Sequence, residues 1–249
     1  MSSLSVWGRR VWKLTQLIEN PQLIPLQRAG IGPETFLKFN RPWFHALHVD
    51  TIFDIGANSG QFAVALSHVL PKARIYSVEP LLGCFERLVK NSRKYPQIQP
   101  INCGVGAAGG TMRINENPYP DSSSFREMRS LHREQFPFTA GVEKFHDITM
   151  RTLDEIASDA SIGHNVMVKM DVQGFEDEVI RGGMKTLSKA RIVLIEVSFI
   201  SLYVGSPSFD EINDSLKRLG LEFSGCVDQL IGPADGAILQ GDALYLRRT

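Results

Sequence analysis

The chain has 249 residues and 27.8 kDa, with 43% hydrophobic and 22% charged residues, a balance that excludes disordered, collagenous and small disulfide-framed classes. Twenty-seven basic residues meet 27 acidic ones, so bulk charge gives no reason to seek nucleic acid or an acidic membrane. Cys84, Cys103 and Cys226 lack C-x-x-C spacing and read as reduced structural thiols, and no apolar run reaches the roughly 18 to 20 residues of a membrane span.

Residues 1–49 read as a helical cap. Trp7, Val11, Leu14 and Ile18 recur at helical spacing, Arg9, Arg10 and Lys13 fall mostly elsewhere, and Pro21 and Pro25 stop the helix. The basic start is not followed by the apolar region and small-residue cleavage site of a secretory signal, so the cytoplasm is the expected compartment. His45 and His48 share a helical face without a third ligand, so no metal is expected there.

From Asp50 onward, short apolar runs alternate with longer amphipathic ones, the pattern of parallel strands covered by crossover helices. Strands are expected at 51–55, 74–78, 99–103, 166–170 and 191–197, and helices at 61–70, 81–95, 175–182 and 209–219. Two closing strands, 221–227 and 243–247, would form an antiparallel edge. This defines one α/β domain over 50–249. Its alternation fails between Thr111 and Thr152, where the stretch 115–147, rich in Pro, Ser and aromatics, reads as a lid-like insertion between two short strands.

The most informative segment is Phe53-Asp-Ile-Gly-Ala-Asn-Ser-Gly60, a strand entering a glycine-containing turn that opens a helix. In open parallel sheets, ligands bind at the carboxyl ends of strands where their order reverses. The spacing is G-x-x-x-G rather than the G-x-G-x-x-G of dinucleotide sites, and Asp54 stands two residues before Gly56. An acid there repels a pyrophosphate and suits an ammonium group. S-adenosylmethionine carries an ammonium and a sulfonium and no phosphate. Glu79 closes the second strand before Pro80, roughly 20 residues beyond Gly56, where ribose hydroxyls are accepted. NAD would use the same carboxylate, so the choice rests on Asp54 and Glu79 together. Asn102-Cys-Gly-Val-Gly106 is small enough to border an adenine ring.

A second constellation runs from Val166 to Glu176. Period-two alternation points Lys169 and Asp171 to the same side, Asp171 at the carboxyl end of the strand; the alternative is an ion pair that serves only the fold. Methyl transfer to a hydroxyl needs alignment and a proton acceptor. Asp171 would hold the acceptor or the cofactor's amino group, and His132, His146 and Glu196 are candidate bases. Asn117-Pro-Tyr-Pro120 lacks the adjacent prolines of N-P-P-Y, sits in the insertion and reads as a turn.

These motifs, with Gly109, Arg151-Thr-Leu-Asp154 and Gly182 in order over roughly 50–200, resemble the FkbM family of S-adenosylmethionine-dependent methyltransferases. The resemblance implies a Rossmann-like class I fold, with a mostly parallel seven-stranded sheet and an antiparallel last strand, and methyl transfer usually to oxygen. It implies that Asp54, Gly56, Asn58 and Gly60 line the methionine side and that Glu79 takes the ribose, with Ala57 and Pro80 also among the cofactor-binding residues. Gly104 and Val105 would border the base, and Asp171 would lie beside the transferred methyl. The expected acceptor is a hydroxyl of a glycan or small metabolite. The alternatives are a non-catalytic adenosyl-binding module for a partner protein, a nucleic-acid methyltransferase, which would want a basic cluster, and an NAD-linked oxidoreductase. The first 49 residues and the insertion depart from the family pattern and are the parts expected to choose the acceptor.

Overall fold

The structure is a computed structural model and describes residues 15, 18–19, 21, 23–28, 32–141, 144–233 and 235–248. Trp7, Val11, Leu14, Arg9, Arg10 and Lys13 lie outside the described residues, while Ile18, within them, is exposed. Three short helices, α1 (Leu23–Arg28), α2 (Glu34–Phe39) and α3 (Pro42–His45), lead into β1 (Thr51–Ile55). They are followed by α4 (Gln61–Val69), β2 (Arg74–Val78), α5 (Leu82–Ser92) and β3 (Ile98–Ile101). The third strand ends before the expected Cys103 because Asn102 turns its amide onto the carbonyls of Glu79 and Pro80, at 2.8 and 3.1 Å.

The insertion has its own architecture. β4 (Gly104–Val105), β5 (Gly110–Glu116) and β6 (Lys144–Arg151) form a small sheet in the order β4-β6-β5. The two expected short strands therefore extend into 115–147, because they pair as a hairpin through Asn115↔Phe145 and Glu116↔Lys144. Between them, α6 (Ser130–Gln135) and two 3-10 turns fold back on the body. Met128 and Phe136 pack with Leu202, Tyr203 and Leu239, and Arg126 pairs with Asp177 at 2.6 Å. Asn117 braces a turn, accepting from the Tyr119 N–H and donating to the Thr139 carbonyl, each at 2.9 Å.

The chain continues through α7 (Leu153–Asp159), β7 (Val166–Met170), α8 (Glu176–Gly182), α9 (Met184–Leu187), β8 (Ile192–Ser198), α10 (Phe209–Arg218), β9 (Leu221–Ile231) and β10 (Ile238–Arg247). Capping boxes, Thr152 with Glu155 and Ser208 with Glu211, satisfy the first amides of α7 and α10. The main sheet runs β3-β2-β1-β7-β8-β10-β9, and β10 is antiparallel to both neighbours.

The pleat explains where polar residues collect. On β1, β7 and β8 one set of alternate side chains, among them Phe53, Ile55, Val168, Met170, Val193 and Ile195, packs under α7, α8 and α10. The other set, Ile52, Met167, Ile192 and Leu194, meets α4 and the cap residues Phe36, Phe39 and Phe44. Asp54, Lys169, Asp171 and Glu196 all fall in this second set. Register places Asp54 beside Lys169 and Glu196 beside Asp242. One face thus becomes polar toward the carboxyl ends of its parallel strands. Among the described residues, no helix is long and apolar enough to cross a membrane.

Candidate active site

A cavity of about 510 Å³ opens over those strand ends. At its β1–β2 end the wall includes the backbone of the loop after β1. Gly56 has φ +77°, and a Cβ there would lie 1.9 Å from the Asp171 carbonyl oxygen, so the β1 and β7 loops meet in a way only glycine permits. Asn58, at φ 47°, takes the left-handed conformation that asparagine tolerates. Its N–H donates to one oxygen of Glu79 and the Leu81 N–H donates to the other, both at 2.9 Å. Burial pushes the Glu79 carboxyl up to about 7, against the pull of these two backbone donors. Each oxygen keeps a lone pair for a further donor. From the insertion, Asp121 accepts a hydrogen bond from the Asn58 side chain.

Asp54 lies beneath this loop and is not part of the cavity wall. The sequence points its carboxylate at an incoming ammonium, but the chain's own Lys169 takes that place. The Lys169 ammonium lies 3.4 Å from Asp54 and 3.6 Å from Asp171, and donates to the Gly56 carbonyl at 2.9 Å. An unpaired carboxylate buried here would cost several kcal/mol, so the partner is physically required. Burial pushes Asp54 up and Lys169 pulls it back. Burial opposes the lysine's charge, but Asp171, Asp54 and Asp242 outweigh it and hold the ammonium above its usual range.

The opposite end is made of long side chains. Gln173, held at φ 55°, donates from its amide to Asp171 at 2.8 Å and to Glu196 at 3.0 Å, and accepts from the Tyr203 hydroxyl at 2.9 Å. Gln240 donates to the same Glu196 oxygen at 2.8 Å. Burial, with Asp171 and Glu176 adding to it, drives Glu196 well above the ordinary carboxylate range. Asp242 is also raised, first by burial and then by Asp171. His132 is buried against the rings of Phe136 and Tyr203, at 5.2 and 5.4 Å, and burial lowers its pKa. Tyr119, Phe125 and Phe138 complete an aromatic wall from the insertion.

Of the residues singled out from sequence, Gly56, Ala57, Asn58, Glu79 and Pro80 line the cavity together. Lys169, Asp171, Glu196 and His132 line it as well. Gly60 instead caps α4 at φ +83°. Gly104 and Val105 are buried outside the wall, Gly104 against Met150 and Phe125. His146 is exposed on β6, 2.7 Å from Glu116, and does not reach the cavity. Sequence reasoning overlooked Gln173, Tyr203, Gln240, Asp242 and Lys38. Gln173 was within its reach, lying inside the Asp171–Glu176 motif; the others depend on strand register and loop packing. Among the described residues, no cluster of His, Cys, Asp or Glu is arranged to hold a metal ion.

A sheet of this order with an antiparallel β10, a glycine turn after β1 and a carboxylate closing β2 defines the Rossmann-like methyltransferase class. Within it, the chain belongs to the methyltransferase FkbM domain family, whose model matches residues 54–223, and its methyl donor is S-adenosylmethionine. The chain is 25% identical over 151 residues to hexuronic acid methyltransferase AglP of Haloferax volcanii, a match covering 59% of this chain and 56% of that protein. It is 28% identical over 179 residues to 2-O-methyltransferase NoeI of Sinorhizobium fredii, covering 68% of this chain and 72% of that one. The crystal structure of methyltransferase FkbM from Methylobacillus flagellatus shares the fold at a TM-score of 0.52 and 17% identity, over 86% of this chain and 50% of that chain.

The residues present fit this cofactor. Glu79 retains lone pairs for hydroxyl donors, the glycine at position 56 leaves the loop's inner surface open, and carboxylates outnumber ammonium groups on the wall. A ligand carrying a sulfonium, an ammonium and one carboxylate has the complementary net charge.

Proposed function

We propose that the chain methylates a hydroxyl of a sugar or glycan, with Asp171 as the proton acceptor and Glu196 as the group that orients the hydroxyl. The observation that carries this is the Asp171–Gln173–Glu196–Gln240 network facing aromatic rings at the end of the cavity opposite Glu79. Carboxylates and carboxamides suit hydroxyl groups, and ring faces suit the C–H surface of a sugar. The names of the two relatives, a hexuronic acid methyltransferase and a 2-O-methyltransferase, support the same acceptor class.

In this scheme Glu79 takes the ribose hydroxyls, Gly56, Ala57 and Asn58 flank the methionine portion, and Pro80 borders the nucleoside. Bound, S-adenosylmethionine supplies a methyl carbon on cationic sulfur, and the bonding electrons stay on sulfur as the acceptor oxygen bonds to carbon. The proton lost by that oxygen goes to Asp171, whose counter-ion is Lys169 at 3.6 Å. Glu196, its carboxyl raised by burial, lines the same end of the cavity and orients the hydroxyl. The helices that carry Lys38 and Phe39 act as a cap and the segment 119–125 as part of a lid, a role supported by their place on two sides of the cavity. The cytoplasm, where the methyl donor is made and cysteines stay reduced, is the compartment that goes with this scheme; all three cysteines are free.

The test is calorimetry with S-adenosylhomocysteine and with NAD, followed by radiolabelled methyl transfer to a panel of glycosides. Binding of the former alone, and label on a glycoside, is expected. A preference for NAD overturns the cofactor roles, and tight binding with no transfer to any acceptor points to a non-catalytic adenosyl-binding module.

A further inference from the structure

The cavity is lopsided in charge. Glu79, Asp121, Asp171, Glu196 and Asp242 line it, against the ammonium groups of Lys38 and Lys169 alone. Both cations are already matched. Lys38, on the cap, pairs with Asp228 of β9, and Lys169 lies between Asp54 and Asp171. His132, buried and lowered, adds no positive charge near neutral pH.

Several neutral donors of the wall are committed too. The Gln173 and Gln240 amides point at Asp171 and Glu196, the Asn58 N–H is held by Glu79, and the N–H groups of Gly56 and Ala57 are held by the Val78 carbonyl. The asymmetry is strongest where β7 and β8 end and the first half of the antiparallel β10 passes beside them. There Asp242 sits in register beside Glu196; among the described residues its carboxyl makes no direct side-chain hydrogen bond or ion pair, and Lys169 and Lys38 act on it only at longer range. Two carboxyls opposite one another on neighbouring strands repel when ionised, and burial together with Asp171 raises both. The fold nevertheless holds them half-buried, facing the space left for the acceptor.

Resting on the sugar methylation proposed above, we propose that Asp242, with Asp171 and Glu196, makes the acceptor end an anion-rejecting subsite. The acceptor is therefore an uncharged or amino-bearing polyhydroxyl compound, and a uronate or phosphorylated sugar is a poor one. The cofactor brings one carboxylate of its own, and the wall has no unmatched cation left for a second anion. On this point the chain departs from what the name of its hexuronic acid methyltransferase relative says of that protein.

The experiment measures kcat/KM on acceptors paired by charge. Methyl hexopyranosides and their 2-amino-2-deoxy analogues are compared with the corresponding methyl hexosiduronates, and 3,4-dihydroxybenzyl alcohol with 3,4-dihydroxybenzoate. The uncharged or amino member is expected to lead its anionic partner by about tenfold or more, a gap that narrows with added salt. Asp242→Asn should reduce the ratio by roughly fivefold, and the salt dependence of the unmodified protein supplies the same readout if that variant does not fold. A hexosiduronate used as well as its neutral partner overturns the subsite while leaving sugar methylation standing. Turnover confined to the phenols overturns the sugar assignment, and their charge ratio then judges the subsite alone. No transfer to any member removes both.

Discussion

The two ends of the cavity are built by different means. Around β1 and β2 the wall is set by local backbone: Gly56 and Asn58 take positive φ, a Cβ on Gly56 would meet the Asp171 carbonyl, and the buried Glu79 holds two amides. Around β7, β8 and β10 the wall is side chain, with Gln173, Glu196, Gln240 and Tyr203 converging from separate segments. A backbone-made end presents the same surface whatever its neighbours are, which suits a constant cofactor. An end made of long side chains can be re-specified one substitution at a time, which suits a variable acceptor.

Lys169 is the joint between the two ends, and removing it is the severest test of the comparison. Lys169→Met leaves Asp54 buried without its counter-ion and should cost about 3 to 5 kcal/mol in urea or thermal unfolding. A loss under about 1 kcal/mol would show that the two ends are not coupled through this ammonium. Next in size, Asp171→Asn should lower turnover by about 10²- to 10⁴-fold while S-adenosylhomocysteine affinity stays within roughly threefold. His146→Ala, away from the cavity, should change turnover less than about twofold. Equal losses of binding and turnover in Asp171→Asn would move Asp171 to the cofactor end.

The smallest effect sharpens the cofactor end alone. Glu79 is raised from an ordinary 4.5 to about 7, so the folded chain holds a proton in that window which the unfolded chain has released. Its contribution to stability therefore falls as pH rises from 4.5 to 7. Glu176, raised to about 7 by burial, acts in the same direction. Ribose hydroxyls favour the ionised carboxylate, so S-adenosylhomocysteine affinity should rise by up to about tenfold between roughly pH 6 and 8. Glu79→Gln should flatten that rise, and an unchanged pH profile in the variant would assign it to another group.

Legibility in sequence follows the same division. The strands at 51–55, 74–78 and 166–170 match β1, β2 and β7 because each is a short, largely apolar run rich in β-branched and aromatic residues. Gly56, Asn58 and Glu79 were legible because a turn and a strand end are set by neighbours in the chain. His146 looked equivalent to His132 as a loop histidine. The β5–β6 pairing carries His146 outward to Glu116, whereas the packing of Met128, Phe136 and Tyr203 draws His132 in. Asp54 read as a ligand contact because a strand pattern gives its alternation and not its depth, and Lys169 reaches it only through the β1–β7 register.

By itself, then, the sequence determined the alternating α/β plan, the cofactor turn and the acid that closes β2. Each depends on spacing within a few residues or on period-two alternation, and such short-range geometry survives without knowledge of what packs against it. Only the tertiary structure decided that Lys169 neutralises Asp54, that Asp242 stands beside Glu196, and which insertion side chains face the cavity. These depend on the register of strands far apart in the chain and on the packing of the insertion over the sheet, where a shift of one residue turns every side chain to the other face.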